Sequence, residues 1–344
     1  MKHLLIPALV LLYGCSGQDI ESAFVSPDPD RWIVETREPD QTDFIVLETP
    51  ILTINEERSA DLLFGRITDV KRLSSGTLVI ADSRNHCLTY VSPEGEFIVR
   101  AGRRGAGPGE LNLSSNGRIS VTAGDTVSIF DQRNSRISKF DPSGTWISSF
   151  RINSLLFDFE ILEGAAMLYT PHASQGVLVH SDLTSTREDT ILSREGFTGF
   201  GSYLANGWLL ENLGQRIYLY HQTSGLLLHS RSRNSPFKAV YLQDPGFRDM
   251  VNPLLNSDES AEGRSLSIRS LVFINGFATD VDEEFVYIQI GDERLGEYRR
   301  IVQLDKSLQY MRGWKIPVSM VSAGLAAGGG HLYSYSTTTV HQWF

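Results

Sequence analysis

Seven of the eight histidines lie beyond residue 80, at His86, His172, His180, His221, His229, His331 and His341. Zinc is gathered by imidazoles or thiolates at short spacing, as in His-x-x-x-His or a Cys/His cluster, and no such spacing occurs here. These residues read as polar strand or loop positions, brought to a metal only if distant loops converge. Asp280, Asp282, Glu283 and Glu284 form a dense acidic run. Hard oxygen donors suit calcium, but the spacing is not that of an EF-hand loop, and a solvated hairpin turn is expected. The glycine-rich stretch 102–109 lacks the Lys-Ser/Thr that a phosphate loop needs and opens no helix. A tight crossing between structural units, using glycine's tolerance of positive φ, is expected instead. No Gly-x-Ser-x-Gly elbow is present, and Gly199-Phe200-Gly201-Ser202 is too loose to stand for one. Cys87 reads as a small buried strand residue with no identifiable base beside it. The sequence therefore predicts no catalytic residue, no metal ligand and no cofactor, and it leaves the binding residues unknown.

With 31 basic and 41 acidic side chains the net charge is −10, the wrong balance for broad nucleic-acid binding. The 41% hydrophobic and 21% charged composition is that of a folded chain. Two cysteines, Cys15 and Cys87, exclude a disulfide framework. The chain opens Met1-Lys2-His3 and continues with nine uncharged residues, Leu4 to Leu12. That apolar run suits a secretory signal and is too short to span a bilayer. Residues 17–30 are polar, with Pro27 and Pro29, and read as a flexible tether.

Self-comparison at a shift of 49 places Ile80-Ala81-Asp82-Ser83-Arg84-Asn85 on Ile129-Phe130-Asp131-Gln132-Arg133-Asn134. It also places Ser92-Pro93-Glu94-Gly95-Glu96-Phe97-Ile98 on Asp141-Pro142-Ser143-Gly144-Thr145-Trp146-Ile147. Ile, Asp, Arg, Asn, Pro, Gly and Ile recur at matching places. Short alternating runs such as Thr77-Leu78-Val79-Ile80-Ala81 and Cys87-Leu88-Thr89-Tyr90-Val91, separated by turn chemistry, predict antiparallel meanders. The rhythm recurs at about 66–102, 112–150, 155–193, 200–232, 268–312 and 316–344. Such units cannot bury both faces alone, and radial stacking makes them a β-propeller. The expectation is an all-β, six-bladed β-propeller over residues 32–344. The incomplete last unit takes its outer strand from the N-terminal side, either 49–54 or 44–47, which closes the ring. An inserted loop at about 233–265, carrying Pro236, Pro245 and Pro253, interrupts the rhythm. Phe237, Tyr241, Phe247 and Met250 either pack it down as a cover or meet a partner.

Two resemblances add to this. The run Asp131-Gln132-Arg133-Asn134-Ser135-Arg136-Ile137-Ser138-Lys139-Phe140-Asp141-Pro142-Ser143-Gly144 resembles the NHL repeat, and Gly102 to Leu111 resembles the inter-blade segment of NHL-like six-bladed propeller lipoproteins of bacterial envelopes. Cys87 departs from the pattern, because Arg136 holds the matching place in the next unit. Leu12-Tyr13-Gly14-Cys15-Ser16 resembles the bacterial lipoprotein box. That resemblance implies cleavage after residue 14, lipid on Cys15 and a tether over 15–31; a plain secretory signal cleaved near Gly14 is the alternative. Ser16, in place of Asp, leans toward the outer membrane rather than the inner. The leading expectation is a monomeric, lipid-anchored envelope propeller that binds a protein, peptide or glycan without catalysis. The alternatives are a metal-dependent hydrolase of the lactonase type, favoured if carboxylates converge on the central channel, and an assembly scaffold.

Overall fold

A computed structural model describes residues 34–37, 44–115, 117–152, 156–162, 165–170, 178–182, 188–192, 208–221, 226–232, 235, 237–242, 276–280, 282–290 and 297–344. Among these, six sheets follow one another along the chain. The first runs Ile67–Arg72, Leu78–Asp82, Cys87–Val91, Phe97–Ala101. The second runs Ile119–Val121, Val127–Asp131, Arg136–Phe140, Trp146–Arg151. The third runs Asp158–Leu162, Ala165–Tyr169, Leu178–Asp182, Glu188–Leu192. The fourth is built from Trp208–Leu213, Arg216–His221, Leu226–Ser230 and Lys238–Leu242. Phe277–Asp280, Phe285–Ile290, Tyr298–Asp305 and Tyr310–Pro317 make the fifth. The sixth has Gly324–Gly328, His331–Tyr335 and Val340–Gln342 from the C-terminal end of the chain. Within each sheet these strands pair antiparallel in chain order. The architecture is that of an all-β propeller.

The innermost strand of each sheet neighbours that of the next, and Gly324–Gly328 neighbours Ile67–Arg72. Hydrophobic cores lie between consecutive sheets. Leu88, Tyr90 and Val79 of the first meet Leu111, Ile129 and Phe140 of the second, while Val70, Leu78 and Ile80 meet Tyr333, Tyr335 and Val340 of the sixth. Sheets covered on both faces bury their middle strands, and Leu78–Asp82, Cys87–Val91 and Val127–Asp131 are buried at every position.

The repeated turns come out alike. Gly95 and Gly144 take φ of +84° and +83°, and their N–H groups donate to Ser92 O and Asp141 O at 2.9 and 3.0 Å. The left-handed backbone explains why glycine recurs in both Pro-x-Gly turns. The repeated Asp and Asn also pair alike: Asn85 Nδ2 donates to Asp82 and Asn134 Nδ2 to Asp131, each at 2.7 Å. Each aspartate then holds the chain that enters its sheet. Asp82 accepts from Gly65 N and Arg66 N, and Asp131 from Asn112 N. Arg136, the residue that Cys87 replaces one unit earlier, adds an ion pair to Asp131 at 2.8 Å and bonds to Ala106 O, Gly107 O and Glu110 O. Truncation of Asp131 to alanine leaves Asn112 N–H unpaired and Arg136 without its counter-ion. We expect a loss of about 1–3 kcal/mol in chemical denaturation, and no loss would show that the aspartate does not tie the crossing.

The 102–109 stretch is the expected crossing, between the first and second sheets, with Gly102 at φ +85° and Gly109 at +71°. Leu111 N–H closes it on Arg103 O at 2.8 Å.

One expectation is corrected and one open choice is decided. The segment 233–265 is not wholly an insertion, because Lys238–Leu242 is the outer strand of the fourth sheet, led in by buried Phe237. The Ser-rich run before it is a tight turn, in which Ser230 Oγ lies 2.8 Å from both Ser232 O and Ser235 O. The proline that made the run read as a loop precedes an outer strand, where proline is tolerated. Residues 243–265, with Phe247 and Met250, lie outside the described residues. Of the two N-terminal runs offered for the last sheet, Leu52–Ile54 takes the place, pairing antiparallel with Val340–Gln342. Phe44–Val46 instead adds a parallel fifth strand to Tyr310–Pro317, and Val34–Arg37 adds one to Lys238–Leu242.

Candidate functional site

The innermost strands carry charge where a core would carry leucine. Asp69 and Lys71 stand on the first, Asp158 and Glu160 on the third and Glu211 on the fourth; Arg118 immediately precedes the second. Alternation puts each strand's pair, at i and i+2, on one side. Charges removed from water must be paired, and these find partners in other sheets. Lys71 Nζ lies 2.5 Å from Glu211 Oε1 and 3.6 Å from Glu160 Oε1. Glu160 Oε2 accepts from Ser120 Oγ at 2.6 Å, and Thr279 Oγ1 lies 3.2 Å from Glu211 Oε2. Arg118 sits between Asp158 at 3.8 Å and Asp69 at 4.0 Å. Asp69 also accepts from Ile119 N, Asp158 from Leu210 N, and Tyr335 OH donates to Asp69. All six sheets therefore contribute a side chain or backbone N–H to one buried polar cluster.

Four carboxyl groups face two cations. Burial pushes Glu160 well above the ordinary glutamate range, with Lys71 opposing, and pushes Glu211 and Asp158 upward in the same way. Burial alone would discharge Lys71, but Glu211, Glu160 and Asp69 outweigh it and hold the ammonium charged. Arg118 is held charged likewise by Asp158 and Asp69 against its burial.

Above this cluster opens a cavity of about 800 Å³. Lys71, Glu160, Glu211 and Thr279 lie on its floor, and the hairpins that follow the innermost strands form its wall, with Arg72, Ser74, Asp125, Gln215 and Asp282 among the lining residues. The wall is braced. Ser74 N and Oγ donate to Asp125 at 2.9 and 2.5 Å, and Arg72 pairs with Asp282 at 3.6 Å. The site can hold a polar molecule against a charged base.

None of the residues singled out from sequence lines this floor. Asp280 is fully buried at the base of the expected hairpin turn, where its carboxylate accepts from Asp282 N, Glu283 N, Gly329 N and Gly330 N and so ties the fifth sheet to the sixth. Glu284 pairs with Lys306. This is structural, with only Asp282 reaching the cavity. His221 packs edge-on to Trp208, His229 stacks on Tyr218, His331 contacts Phe344 O and His341 contacts Thr53. Among the described residues no three His, Cys, Asp or Glu are grouped as a metal site. The cluster's carboxylates do converge, but round an ammonium and a guanidinium, so a divalent ion would have to displace both, and the donor set does not fit a metal centre. Cys87 is buried, and burial pushes its thiol up to about 11. Cys15, residues 1–31, His172 and 199–202 lie outside the described residues. The missed signal was a charge at alternate positions within otherwise apolar first strands, as in Asp158-Phe159-Glu160-Ile161.

No family model matches the chain, and no curated protein does either. Solved structures do. A member of the DUF4221 family from Bacteroides vulgatus matches with TM-score 0.54 at 10% identity, over 88% of this chain and 98% of that one. A Bacteroides fragilis protein provisionally named an exported protein matches with TM-score 0.53 at 14% identity, over 88% and 86%. A Bacteroides thetaiotaomicron protein of unknown function gives 0.50 at 12%, over 81% and 69%. At these identities the likeness is one of fold. Fold and site together define a β-propeller with a charge-floored cavity among its innermost strands.

Proposed function

We propose that this chain is a lipid-anchored propeller of the bacterial envelope, a closed ring of six blades that binds a polar ligand in its central cavity without transforming it. Six sheets, the succession of innermost strands and the pairing of Leu52–Ile54 with the last sheet support the ring. The Asp131, Asn134 and Arg136 constellation supports an NHL-like repeat. The charged start, the apolar run and Cys15 support export and lipidation, and likeness of fold to a protein provisionally named as exported is in keeping with export alone. The ligand is an envelope protein, a peptide or a glycan, met by a monomeric propeller at the outer membrane. What carries the binding reading is the cavity of about 800 Å³ over a buried ion cluster. The enzyme reading draws on the raised glutamates alone, and each of them already has a partner within the protein.

Two experiments test this. Cys15→Ala moves the protein from the membrane fraction to the soluble fraction; unchanged partitioning refutes lipidation. For the cavity, a photo-crosslinking residue at exposed, cavity-lining Gln215 captures a neighbour in cells, and one at Ile147, 49% exposed on an outer strand, does not. Gly124 lines the cavity, and no atom stands within 4 Å of an added Cβ. Gly124→Trp therefore adds a large side chain at an open place on the lining and abolishes the Gln215 adduct. An adduct that survives Gly124→Trp, or equal capture from Ile147, sinks the reading.

A further inference from the structure

We infer that the end of the propeller opposite the cavity docks on an anionic phospholipid surface through unpaired arginines of the first two sheets, so that the cavity faces away from the bilayer. This uses the envelope address proposed above, but neither a lipid on Cys15 nor a ligand in the cavity. Chain direction fixes which groups share that end. The innermost strands run up to the cavity, where Arg72 and Val121 line it. Leu78–Asp82 and Val127–Asp131 run back antiparallel to them. The turns 82–87 and 131–136 therefore lie at the far end, with the crossing 102–112. Hydrogen bonds gather arginines there. Arg66 N and Arg84 N both donate to the Asp82 carboxylate, at 2.9 and 3.1 Å. Arg133 N donates to Asn112 O at 3.3 Å, and Arg104 pairs through its backbone with Leu111, one residue earlier. Asn134 Nδ2, next to Arg133, donates to Gly105 O, next to Arg104, at 2.8 Å. Arg151 precedes Ile152, whose N–H donates to Ser135 O of the same turn at 2.9 Å. His86, in the first turn, is held below the ordinary histidine range by burial and then by Arg104 and Arg133.

Charge is the first reason. In a chain of net charge −10, Arg66, Arg84, Arg104, Arg133 and Arg151 are exposed and make no ion pair among the described residues. The carboxylates beside them are spent. Asp82 and Asp131 are buried and filled by backbone N–H groups, Asn85, Asn134 and Arg136. Glu110 is taken by Arg103. Glu56, Glu57 and Asp61 belong to the crossing from the sixth sheet to the first, ahead of Leu63. The cavity end is the reverse, since Asp125, Glu160, Glu211 and Asp282 outnumber Lys71 and Arg72 on its lining. An anionic surface attracts one end and repels the other, which sets orientation as well as affinity. Leu63 supplies the second, independent reason. It is 55% exposed, and its carbonyl accepts from Asn85 Nδ2 at 3.4 Å, which places it beside Arg66 and Arg84. At a headgroup boundary a leucine enters the apolar side while guanidinium groups bond phosphate oxygens. A soluble polyanion would satisfy the arginines and leave Leu63 in water. A bilayer satisfies both.

The test reads which end meets the bilayer. The full chain is mixed with vesicles of phosphatidylcholine, alone or with phosphatidylglycerol, whose acyl chains carry bromine as a quencher. An environment-sensitive fluorescent residue replaces Leu63 in one protein and Gly124, on the cavity lining, in another. Emission from position 63 is quenched by the anionic vesicles at low salt, and the quenching is lost at high salt and in neutral vesicles. Emission from position 124 is quenched by neither. Each arginine near such a surface contributes about fivefold. Arg104→Gln with Arg133→Gln breaks no side-chain ion pair among the described residues and lowers the ratio of docked to free protein by about 25-fold. Lys139→Gln with Lys315→Gln makes the same change in net charge on strands whose lysines lie over Phe150 and Phe44, and alters the ratio by less than about twofold, because the attraction fades within a Debye length. No quenching at 63, equal quenching in neutral vesicles, quenching unchanged by the paired arginine substitutions, or quenching at 124 instead overturns the inference. So does a probe at 63 that responds to soluble polyphosphate and not to vesicles, which would assign the arginines to a soluble polyanion. Sedimentation of the same protein with neutral vesicles reads the lipid anchor separately, and the Gln215 adduct reads the cavity, so the failure of either is told apart from the failure of this docking surface.

Discussion

Replacement of Lys71 by methionine lowers the free energy of unfolding by about 3–5 kcal/mol at pH 7.5, the usual loss when one partner of a buried ion pair is removed. Methionine keeps most of the aliphatic stem, so the packing change is small and the effect is electrostatic. Glu160 and Glu211 are left facing each other with no cation between them. The sign of the pH dependence follows from the direction of their shifts. Both are raised in the folded protein, burial being the main cause and Lys71 the main opposing influence. A carboxyl whose folded pKa exceeds its unfolded one binds protons more readily when folded, so the fold loses stability as pH rises between the two values. Without Lys71 the folded values rise further and that loss deepens. The penalty of the substitution is thus full above the window and shrinks as pH falls through it toward the ordinary glutamate value. Lys71 itself stays charged throughout this range and adds no pH dependence of its own. Urea denaturation of both proteins at pH 7.5 and pH 4.5 checks this; an equal penalty at the two values would mean that the ammonium does not compensate the glutamates.

The same cluster shows where reading a sequence stops. The meander and its turns were legible because their causes are local. Pro-x-Gly needs a left-handed glycine within four residues, and Asp82 meets Asn85 three residues on. The short apolar runs were legible too, wherever a middle strand lay under cover on both faces. The innermost strands were not. Thr68-Asp69-Val70-Lys71 alternates, but with ionisable groups in the positions that a buried strand gives to apolar ones, so it resembles a loop. What makes those charges tolerable is a partner 140 residues away, as for Lys71 and Glu211. No window along the chain contains that partner. The outer strand Lys238–Leu242 was hidden for a different reason: Pro236 and the serines before it are turn formers, and an outer strand has too little buried surface to outweigh them in pattern.

The N-terminal strands hold unequally, and two internal deletions separate their roles. Loss of 33–46 removes the two parallel additions. They cover outer edges, with Phe44 alone packed against a core and Ile45 and Val46 53% and 48% exposed. We expect a modest fall in melting temperature and a protein that still unfolds as one unit. Loss of 33–56 also removes Leu52–Ile54. Ile54 is fully buried in a core shared with Leu62, Ile67, Val70 and Val340, and even Ile54→Ala alone removes enough packing to cost about 2–5 kcal/mol. Deleting the whole strand bares the edge of Val340–Gln342, leaves its N–H and C=O groups without partners and opens one side of the core that joins the last sheet to the first. Domains are stable by only about 5–15 kcal/mol in all, so the second deletion leaves a chain that melts in a broad transition and is cut by protease within the sixth sheet. Every other sheet has four strands from one continuous stretch of chain, the fourth and fifth gaining a distant strand only as a fifth; the sixth needs chain nearly 290 positions away for its fourth strand, at the Thr53–His341 contact. A sixth sheet held at that one place fails there first, and if the two deletions melt alike, Leu52–Ile54 is not what holds it.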